Sequence, residues 1–400
     1  MNSVVVTGLG VVAPHGDDAQ AMFAALMQAD SAVRPVFPDL PKPAAAALVD
    51  FDESRWFTKL QLAGVDRVSQ LAVAAADLAM RDAGAADDVD AERIGVFAGC
   101  GMGGAAALEA AYRGGGRVPP LTIPAFMPNA PASHVAMRHG VHGPVLTYSV
   151  ACASSAVAIA EAAKAVQRGD VDLAIAGGAE ALIVPGVVLA WQAMQTLATF
   201  QPGEAATAIR PFATDRSGFA LGEGAAFLVL ESAQRAQRRG ARCYAALSGW
   251  GISSDATHLT KPDPQGQSRA LRAALRQAGL APRDVGYCNA HGTATRIGDV
   301  VERDALAAVW GDALDGLRVS STKALHGHLL GAAGALEAAV TVLAVARREL
   351  PPNAHTETVE PACALNLVRG AGVAAPALDA AISNSFAFGG TNAVLLFTRA

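Results

Sequence analysis

The sequence predicts an α/β protein built from two pseudo-symmetric halves. Apolar residues make up 52% of the 400-residue chain and charged residues only 17%, so most elements should be buried on more than one side. Short apolar strand patterns alternate with longer helical patterns. The order of these patterns in residues 1–240 is repeated in residues 241–400. This repetition predicts two fused halves with mixed, largely parallel sheets covered by helices.

The first half contains several elements that the hydrophobic pattern predicts. Strand patterns cover residues 3–12, 93–98, 145–148, 172–176 and 225–230. Helical patterns cover residues 20–27, 66–83 and 153–166. Two proline-rich segments, residues 34–43 and 117–131, are predicted to lie outside the regular core, because proline removes a backbone donor and fixes φ.

The second half repeats this order. Strand patterns cover residues 244–251, 285–289, 319–323, 380–384 and 393–397, and helical patterns cover residues 268–278 and 331–347. The helix and strand over 153–175 resemble in type those over 329–346 and 378–382. The chain corners just before the two helices, at Cys152 and near His328, are therefore predicted to be symmetry mates that converge on one buried site.

Charge and cysteine usage exclude several classes of protein. The net charge is −5 and there is no basic block, which argues against nucleic-acid or anionic-membrane binding. The five cysteines are widely spaced without a CxxC pair, as expected in a reducing cytoplasm. The N-terminus lacks the basic region of a signal peptide. The longest apolar run, residues 181–191, is shorter than the roughly 20 residues of a membrane span.

Cys152 is the first candidate catalytic residue. It stands where the strand pattern 145–148 ends and the helical pattern 153–166 begins. The N-terminal end of a helix offers free N–H groups and a positive dipole, and both favour the nucleophilic thiolate. A buried structural cysteine is the alternative interpretation.

Two histidine-bearing loops follow strands in the second half. One carries His291, and the other carries His326 and His328. A cysteine that takes an acyl group and histidines that donate to a developing enolate are suited to thioester chemistry. Structural histidines, or a metal site at the HxH pair, are the alternatives. Because no further carboxylate or cysteine stands at ligand spacing, we expect no metal.

Two glycine motifs need separate interpretations. Gly99-x-Gly101-x-x-Gly104 resembles a dinucleotide fingerprint, but residues 110–160 contain no acidic residue, so close backbone packing is the better interpretation. Because no lysine follows a glycine in the chain, a Walker A loop is excluded. Gly389 and Gly390 permit a close approach to a ligand and neighbour possible oxyanion donors; a tight turn between strands is the alternative.

Together these motifs resemble the β-ketoacyl-acyl carrier protein synthases of the thiolase superfamily, of the synthase I/II type. The resemblance extends from residue 6 to the C-terminus. The segments that carry it are residues 151–154, residues 289–293, Lys323 with Gly327 and His328, and residues 388–392.

The resemblance implies a thiolase-like five-layer α/β/α/β/α fold and an acyltransferase that needs no cofactor. In such a 3-oxoacyl-[acyl-carrier-protein] synthase, Cys152 would take an acyl group from a carrier-protein pantetheine. Malonyl-carrier protein would lose CO2, and its carbanion would attack the acyl thioester. His291 and His328 would stabilise the enolate, and Lys323, paired with Glu337, would organise the site electrostatically.

The same resemblance assigns further roles. The N–H groups of Cys152 and Phe388 would form the oxyanion hole, and Phe388 would gate the malonyl side. Thr293 and Thr295 would hold the pantetheine. The family is homodimeric, with the acyl tunnel near the subunit boundary. Residues 1–240 would form the half that carries the nucleophile, and residues 241–400 the half that carries the histidines.

Two neighbouring families differ at residues that can be read from the sequence. Ketoacyl synthase III resembles this chain in fold but uses Cys-His-Asn, and thiolases place a second cysteine in a glycine-rich motif that Cys363 lacks. The alternative from another class is a non-catalytic, chain-length-factor-like subunit of a heterodimer; such subunits lack the nucleophile that Cys152 supplies.

The chain departs from the family pattern at three places. Ala387 stands where glycine is usual, and a methyl group there would restrict the gating loop. His326 stands where threonine is common, which adds a titratable group beside His328. The basic cluster for carrier-protein docking is reduced to Lys59 and Arg67. These departures make a specialised polyene or polyketide pathway an alternative to housekeeping fatty acid synthesis.

Overall fold

The computed structural model describes residues 3–84 and 89–400. Its strands are β1 Val4–Val12, β2 Val33–Val36, β3 Ala44–Ala47, β4 Ile94–Gly99, β5 Val145–Tyr148, β6 Leu173–Glu180, β7 Leu221–Gly222, β8 Gly224–Ser232, β9 Ala245–Ser254, β10 Tyr287–Asn289, β11 Arg318–Ser320, β12 Glu349–Leu350, β13 Asn366–Leu367, β14 Val373–Ala374, β15 Ala380–Phe386 and β16 Thr391–Thr398. Its helices are α1 Ala19–Met27, α2 Arg67–Ala83, α3 Ala105–Arg113, α4 Thr122–Phe126, α5 Ala130–His139, α6 Ser154–Arg168, α7 Pro185–Ala193, α8 Ala233–Arg238, α9 Pro264–Ala278, α10 Gly298–Trp310, α11 Lys323–His326 and α12 Ala333–Arg347.

The strand order reveals the internal repeat. Hydrogen bonds join β13-β11-β10-β15-β16-β9-β1-β8-β6-β4-β5 in that order. The halves meet where β1 pairs with β9, over only three residue pairs, Val4–Val6 with Ala245–Leu247. Outward from this junction, β8, β6, β4 and β5 match β16, β15, β10 and β11. In each half two antiparallel pairings are followed by parallel ones, two in the first half and three in the second, where β13 pairs with β11.

The predicted two halves are therefore present, but their sheets are evenly mixed rather than largely parallel. Parallel pairing needs a long crossover connection, and the outer strands of each half have one. The inner strands β8 and β16 run antiparallel to both of their neighbours.

Two helices lie between the sheets of the two halves. The helices α6 and α12 contact each other and strands of both halves, and α12 is buried from Ala333 to Val345. The helices α2 and α9 cover the outer faces, which gives five layers and confirms the predicted α/β/α/β/α architecture. By length and composition Leu330–Arg347 could cross a membrane, but 89% of this window is buried inside the protein, as in a core helix.

The two corner segments are also equivalent. A single 3-10 turn, Ala151–Ala153, precedes α6, and another, Leu330–Ala332, precedes α12. Both turns begin at a non-glycine residue with positive φ, 49° at Ala151 and 45° at Leu330. This shared backbone conformation supports the predicted symmetry between the corners.

Close backbone packing explains the first glycine cluster. A Cβ atom at Gly99 would lie 2.2 Å from the backbone nitrogen of Ser155, and one at Gly104 would lie 2.3 Å from the carbonyl oxygen of Ala125. The glycines let β4 and the following loop approach α6 and α4.

The two proline-rich segments contain more regular structure than the sequence predicts. Residues 33–36 form β2, in which Pro35 lies opposite Ala45 of β3. Residues 122–126 form α4, with Thr122 and Ala125 buried. Most residues of both segments are exposed or half-buried, as predicted for segments outside the core. The short strand and helix form because proline is tolerated in an edge strand, such as β2, and in short helical turns.

Candidate active site

Cys152 lies in the 3-10 turn that leads from β5 into α6, and only 6% of the residue is exposed. The hydroxyl of Ser154 accepts from the N–H of Val150 at 2.9 Å and donates to the carbonyl of Ala151 at 2.6 Å. These two bonds close the turn and hold the thiol at the start of the helix.

Burial controls the protonation of this thiol. It raises the pKa of Cys152 to about 12, although the positive charge of Lys323 and the N–H groups of Phe388 and Cys152 itself act in the opposite direction. The expectation that the helix end favours the thiolate is therefore wrong for the thiol as the structure holds it. The N–H groups do point at the sulfur, as predicted, but desolvation of the charged form outweighs them.

His328 reaches the nucleophile directly. Its Nε2 lies 3.1 Å from Sγ of Cys152, and its Nδ1 accepts from the N–H of Leu330 at 3.3 Å. Burial, followed by the charges of Lys323 and His326, holds the pKa of His328 well below its usual value. A neutral imidazole has one donor and one acceptor, so Nε2 carries the proton and donates toward the sulfur.

His291 faces His328 across the same site. The ring centroids are 5.5 Å apart and the rings are nearly perpendicular. Burial, then the charge of Lys323, lowers the pKa of His291 well below its usual value. Its Nδ1 is buried without a hydrogen-bond partner among the described residues.

The sulfur and one nitrogen from each ring lie within 4.8 Å of one another. The structure thus brings together the cysteine and the two histidines that the sequence singled out. The same three atoms are of types that bind zinc. That the site holds no metal stays a prediction.

Lys323 and Glu337 form an ion pair with no solvent exposure on either side chain. Burial raises the pKa of Glu337 to about 7, against the lowering effect of Lys323. The second carboxylate oxygen of Glu337 has no partner among the described residues. The predicted pairing is present, and it places a positive charge close enough to act on Cys152 and both histidines.

Phe388 belongs to the turn between β15 and β16. Gly389 and Gly390 follow with φ of 87° and 78°, so the motif is a tight turn that needs glycine at both positions. Its close approach to a ligand and its oxyanion donors stay predictions. Ala387 is not among the residues with positive φ, so its methyl group adds no left-handed strain.

Aromatic rings connect this turn to His328. Trp191 stacks on Phe388 with centroids 6.0 Å apart and meets Phe219 edge-on at 5.5 Å. Phe219 in turn meets the ring of His328 at 5.1 Å.

A cavity of about 650 Å³ leads to the reactive groups. Its walls include Cys152, His291, His328, Thr293 and Thr295. The two threonine hydroxyls are 3.1 Å apart and hydrogen-bonded. Every sequence-predicted site residue therefore lies in this cavity or directly behind it.

Sequence reasoning missed two buried carboxylates. Glu302 accepts from the N–H groups of His291 and Gly292 at 2.8 and 2.7 Å. Glu180 accepts from the N–H groups of Gly101 and Gly331 at 2.8 and 3.0 Å. Glu180 stands out in the sequence as an acidic residue inside an apolar segment, whereas Glu302 stands beside Arg303 and Asp304 in a charged one. Neither setting names a partner.

His326 does not behave as the titratable group that the sequence suggested. It is 1% exposed, and burial lowers its pKa to about 3, with further lowering by Lys323 and His15. Burial therefore favours the neutral form of its ring near pH 7.

A fold of two fused halves, with a thiol and two imidazoles at their junction, defines a thiolase-fold condensing enzyme. Residues 1–236 match the family model "Beta-ketoacyl synthase, N-terminal domain", and residues 244–357 match "Beta-ketoacyl synthase, C-terminal domain". The chain belongs to the beta-ketoacyl synthase family.

Individual relatives agree with this assignment. The chain is 39% identical to 3-oxoacyl-[acyl-carrier-protein] synthase 2 of Staphylococcus aureus (strain N315), over 99% of this chain and 98% of that protein. It is similar to the ishigamide ketosynthase/chain length factor structure, with TM-score 0.92, 32% identity and coverage of 100% and 99%. It is also similar to a chain in the structure of a type II polyketide synthase acyl-carrier protein in complex with its ketosynthase, with TM-score 0.91, 28% identity and full coverage of both chains.

The reaction class follows from these matches. The protein is a 3-oxoacyl-[acyl-carrier-protein] synthase, an acyltransferase of fatty acid or polyketide biosynthesis. It joins an acyl group to malonyl-acyl carrier protein with loss of CO2.

Proposed function

We propose that Cys152 carries the acyl group and that His291 and His328 serve the decarboxylative step. The observation that carries this proposal is the convergence of the sulfur and two imidazole nitrogens within 4.8 Å at the inner end of the cavity. A thioester on Cys152 and the thioester of a second substrate would both be within reach of the imidazoles.

In the first half-reaction, the sulfur of Cys152 attacks the acyl-pantetheine thioester carbonyl. The new C–S bond forms, the bond to the pantetheine sulfur breaks, and the thiol proton ends on the departing pantetheine. The N–H groups of Cys152 and Phe388 act on the sulfur at which this intermediate forms. They would stabilise the oxyanion of the tetrahedral intermediate.

In the second half-reaction, malonyl-carrier protein loses CO2 and leaves an enolate. The enolate carbon attacks the acyl thioester, and the bond to Cys152 breaks, so a proton from solvent restores the thiol. His328 donates from Nε2 because Leu330 occupies Nδ1. A donor fixed in this way suits an enolate oxygen, which carries the developing negative charge.

Lys323 would set the electrostatics of both steps. Its ammonium acts on Cys152 and on both catalytic histidines. It favours negative charge on the sulfur and disfavours positive charge on the rings. We propose that burial and the charge of Lys323 keep the imidazoles neutral, so that they serve as donors rather than as cations.

Phe388 would act as a gate, and the two cavity threonines would hold the pantetheine. The stacking of Trp191 on Phe388 favours one position of the ring, from which Phe388 separates parts of the cavity. The hydroxyls of Thr293 and Thr295 face a cavity long enough for an extended arm. They offer donors and acceptors suited to its amide groups.

We also propose a homodimer. Strand β5 lies at the edge of the sheet, where its backbone can pair with a second copy in a two-fold arrangement. Nine of the fifteen exposed large apolar residues described lie in residues 102–146: Met102, Tyr112, Val118, Leu121, Ile123, Met127, Met137, Val145 and Leu146. Such a concentration is typical of an interface.

The remaining proposals concern organisation and setting. The junction between β1 and β9 supports a division into a nucleophile-bearing half, 1–240, and a histidine-bearing half, 241–400. All five cysteines are free, which suits a cytoplasmic location. The reduced docking cluster at Lys59 and Arg67 supports a specialised pathway over housekeeping synthesis.

Mass spectrometry of the intact protein tests the catalytic proposal. Acyl-carrier proteins of varied chain length should add one acyl group, which malonyl-carrier protein then removes as product. Cys152→Ala should abolish this gain. His291→Ala or His328→Ala should slow malonyl decarboxylation by about 100-fold or more, with a smaller effect on self-acylation. Full acylation of C152A, or equal loss of both steps in the histidine variants, would contradict the proposal.

A further inference from the structure

The ring of His326 spans the short helix that carries Lys323. Its Nδ1 lies 2.8 Å from the carbonyl oxygen of Gly327, and its Nε2 lies 2.9 Å from the hydroxyl of Thr322. Thr322 immediately precedes α11, and Gly327 immediately follows it. One imidazole therefore bonds to both ends of the single turn between Lys323 and His328.

The directions of these bonds fix the tautomer of His326. A carbonyl oxygen accepts only, so Nδ1 must carry the proton and donate to Gly327. Nε2 of the neutral ring then accepts from the hydroxyl of Thr322. This tautomer is the reverse of the one at His328, where Nδ1 accepts and Nε2 donates.

The carbonyl that His326 holds belongs to the peptide unit joining Gly327 to His328. The N–H of the same unit donates to the carbonyl of Ala220 at 2.8 Å. Because a peptide unit is planar, bonds on both sides fix the plane from which the His328 side chain extends. Gly327 itself has φ of 72°, a conformation that few residues adopt without such support.

From this geometry we infer that His326 is a positioning residue for His328: its neutral ring clamps the Gly327–His328 peptide and so aims Nε2 of His328 at the reaction centre. The inference rests on the role proposed for His328 and extends it to a residue that does not touch the substrate. The surrounding groups agree, because Lys323 and His15 both disfavour a proton on the His326 ring.

Two substitutions of similar size distinguish the hydrogen bond to Gly327 from the hydrogen bond to Thr322. In His326→Asn the side-chain amide nitrogen can occupy the place of Nδ1 and still donate to Gly327. In His326→Gln the amide lies at the place of Nε2, where it can reach only Thr322. We expect H326N to retain decarboxylation within about threefold, and H326Q and H326A to lose about 10- to 100-fold.

The loss should appear in kcat rather than in KM for malonyl-carrier protein, because both hydrogen bonds of the His326 ring stay within this turn and neither goes to Thr293 or Thr295. Activity of H326Q equal to that of H326N would overturn the inference, as would an unchanged kcat in H326A. The variant H328A is run alongside. If H328A keeps its decarboxylation rate, the proposed role of His328 fails; if H328A loses it while H326A and H326Q do not, only the present inference fails.

Nitrogen NMR of the wild-type protein, labelled at histidine, gives a test that no folding defect can affect. We expect His326 to carry its ring proton on Nδ1 and His328 on Nε2, without titration from about pH 5 to about pH 9. A proton on Nε2 of His326, or titration of its ring in this range, would contradict the clamp.

Discussion

Cys152 lies at the start of a 15-residue helix, yet burial raises the pKa of its thiol to about 12. The sulfur sits in a low-dielectric pocket where two neutral rings replace water. Desolvation there costs more than the helix end returns. Among the side chains, Lys323 is then the main one that favours the thiolate, through its positive charge. The reactivity of the thiol should therefore change when either member of the Lys323–Glu337 pair is replaced.

Alkylation of Cys152 by iodoacetamide measures this influence. For the wild-type protein we expect the rate to rise about tenfold per pH unit from about pH 7 to about pH 10, because the thiolate fraction grows in proportion below the pKa. Lys323→Met removes the charge that lowers the Cys152 pKa. Its rate at a given pH should fall by about tenfold.

The variant Glu337→Gln gives the matched comparison. Glu337 raises the pKa of Cys152, so E337Q should alkylate faster than the wild type. Each variant leaves one buried partner unpaired and should lose about 3–5 kcal/mol of stability. Equal slowing in both variants would mean that general loosening of the site, and not charge, controls the thiol.

At the scale of the elements, the sequence predicted those strands and helices whose local hydrophobic pattern agrees with their burial in the fold. Strand β5 was predicted with its observed bounds, and α6 and α12 to within a few residues. The corner at Cys152 could be found because a strand pattern ends and a helix pattern starts there. Local signals of this kind are short-range, and a single sequence contains them.

The supporting residues could not be found in the same way. Glu180 contacts Gly331 across 151 positions of the chain, and His326 acts through a carbonyl that any residue would present. Neither contact produces a periodic pattern of residue types in the sequence. The thiolate was also wrongly favoured, because desolvation depends on what covers Cys152 and not on its neighbours in sequence.

The close approach of β4 to α6 gives an element-scale prediction. A methyl group at Gly99 would lie 2.2 Å from the backbone nitrogen of Ser155. Gly99→Ala should therefore push the start of α6 away from the sheet and destabilise the protein by about 3 kcal/mol or more. Because Cys152 precedes that helix start, acylation should slow as well.

Gly316→Ala is the control, since a Cβ there meets nothing within 4 Å and φ is not positive. Urea unfolding should give G316A a stability within about 0.5 kcal/mol of the wild type. If G99A has the urea midpoint and the acylation rate of the wild type, then β4 and α6 can separate without loss of stability.

At the scale of the whole molecule, the sheet junction and the two central helices are among the contacts that join the halves. The sheet junction is only three residue pairs long, whereas α6 and α12 pack against each other and against strands of both halves. Helix burial between the sheets therefore provides most of the connection. It also explains why the catalytic groups lie there: both corners open onto the ends of these two helices.

The opposite end of the sheet is where a second copy is expected. At β5, Val145 is 37% exposed and Leu146 is 45% exposed, and the strand pairs on one side only. We expect the protein to sediment at twice its chain mass of 40.6 kDa. Leu146→Asp should yield monomers, because two carboxylates would face each other across a two-fold axis.

The exposed Leu60, 87% accessible, lies outside residues 102–146 and provides the control: Leu60→Asp should remain dimeric. Because the family's tunnel lies near the subunit boundary, monomeric L146D should also lose condensation while Cys152 stays reactive toward iodoacetamide. A wild-type monomer that condenses at full rate would exclude the homodimer. If L146D remains dimeric, the interface does not include β5, since an unpaired edge strand tolerates charge and a paired one does not.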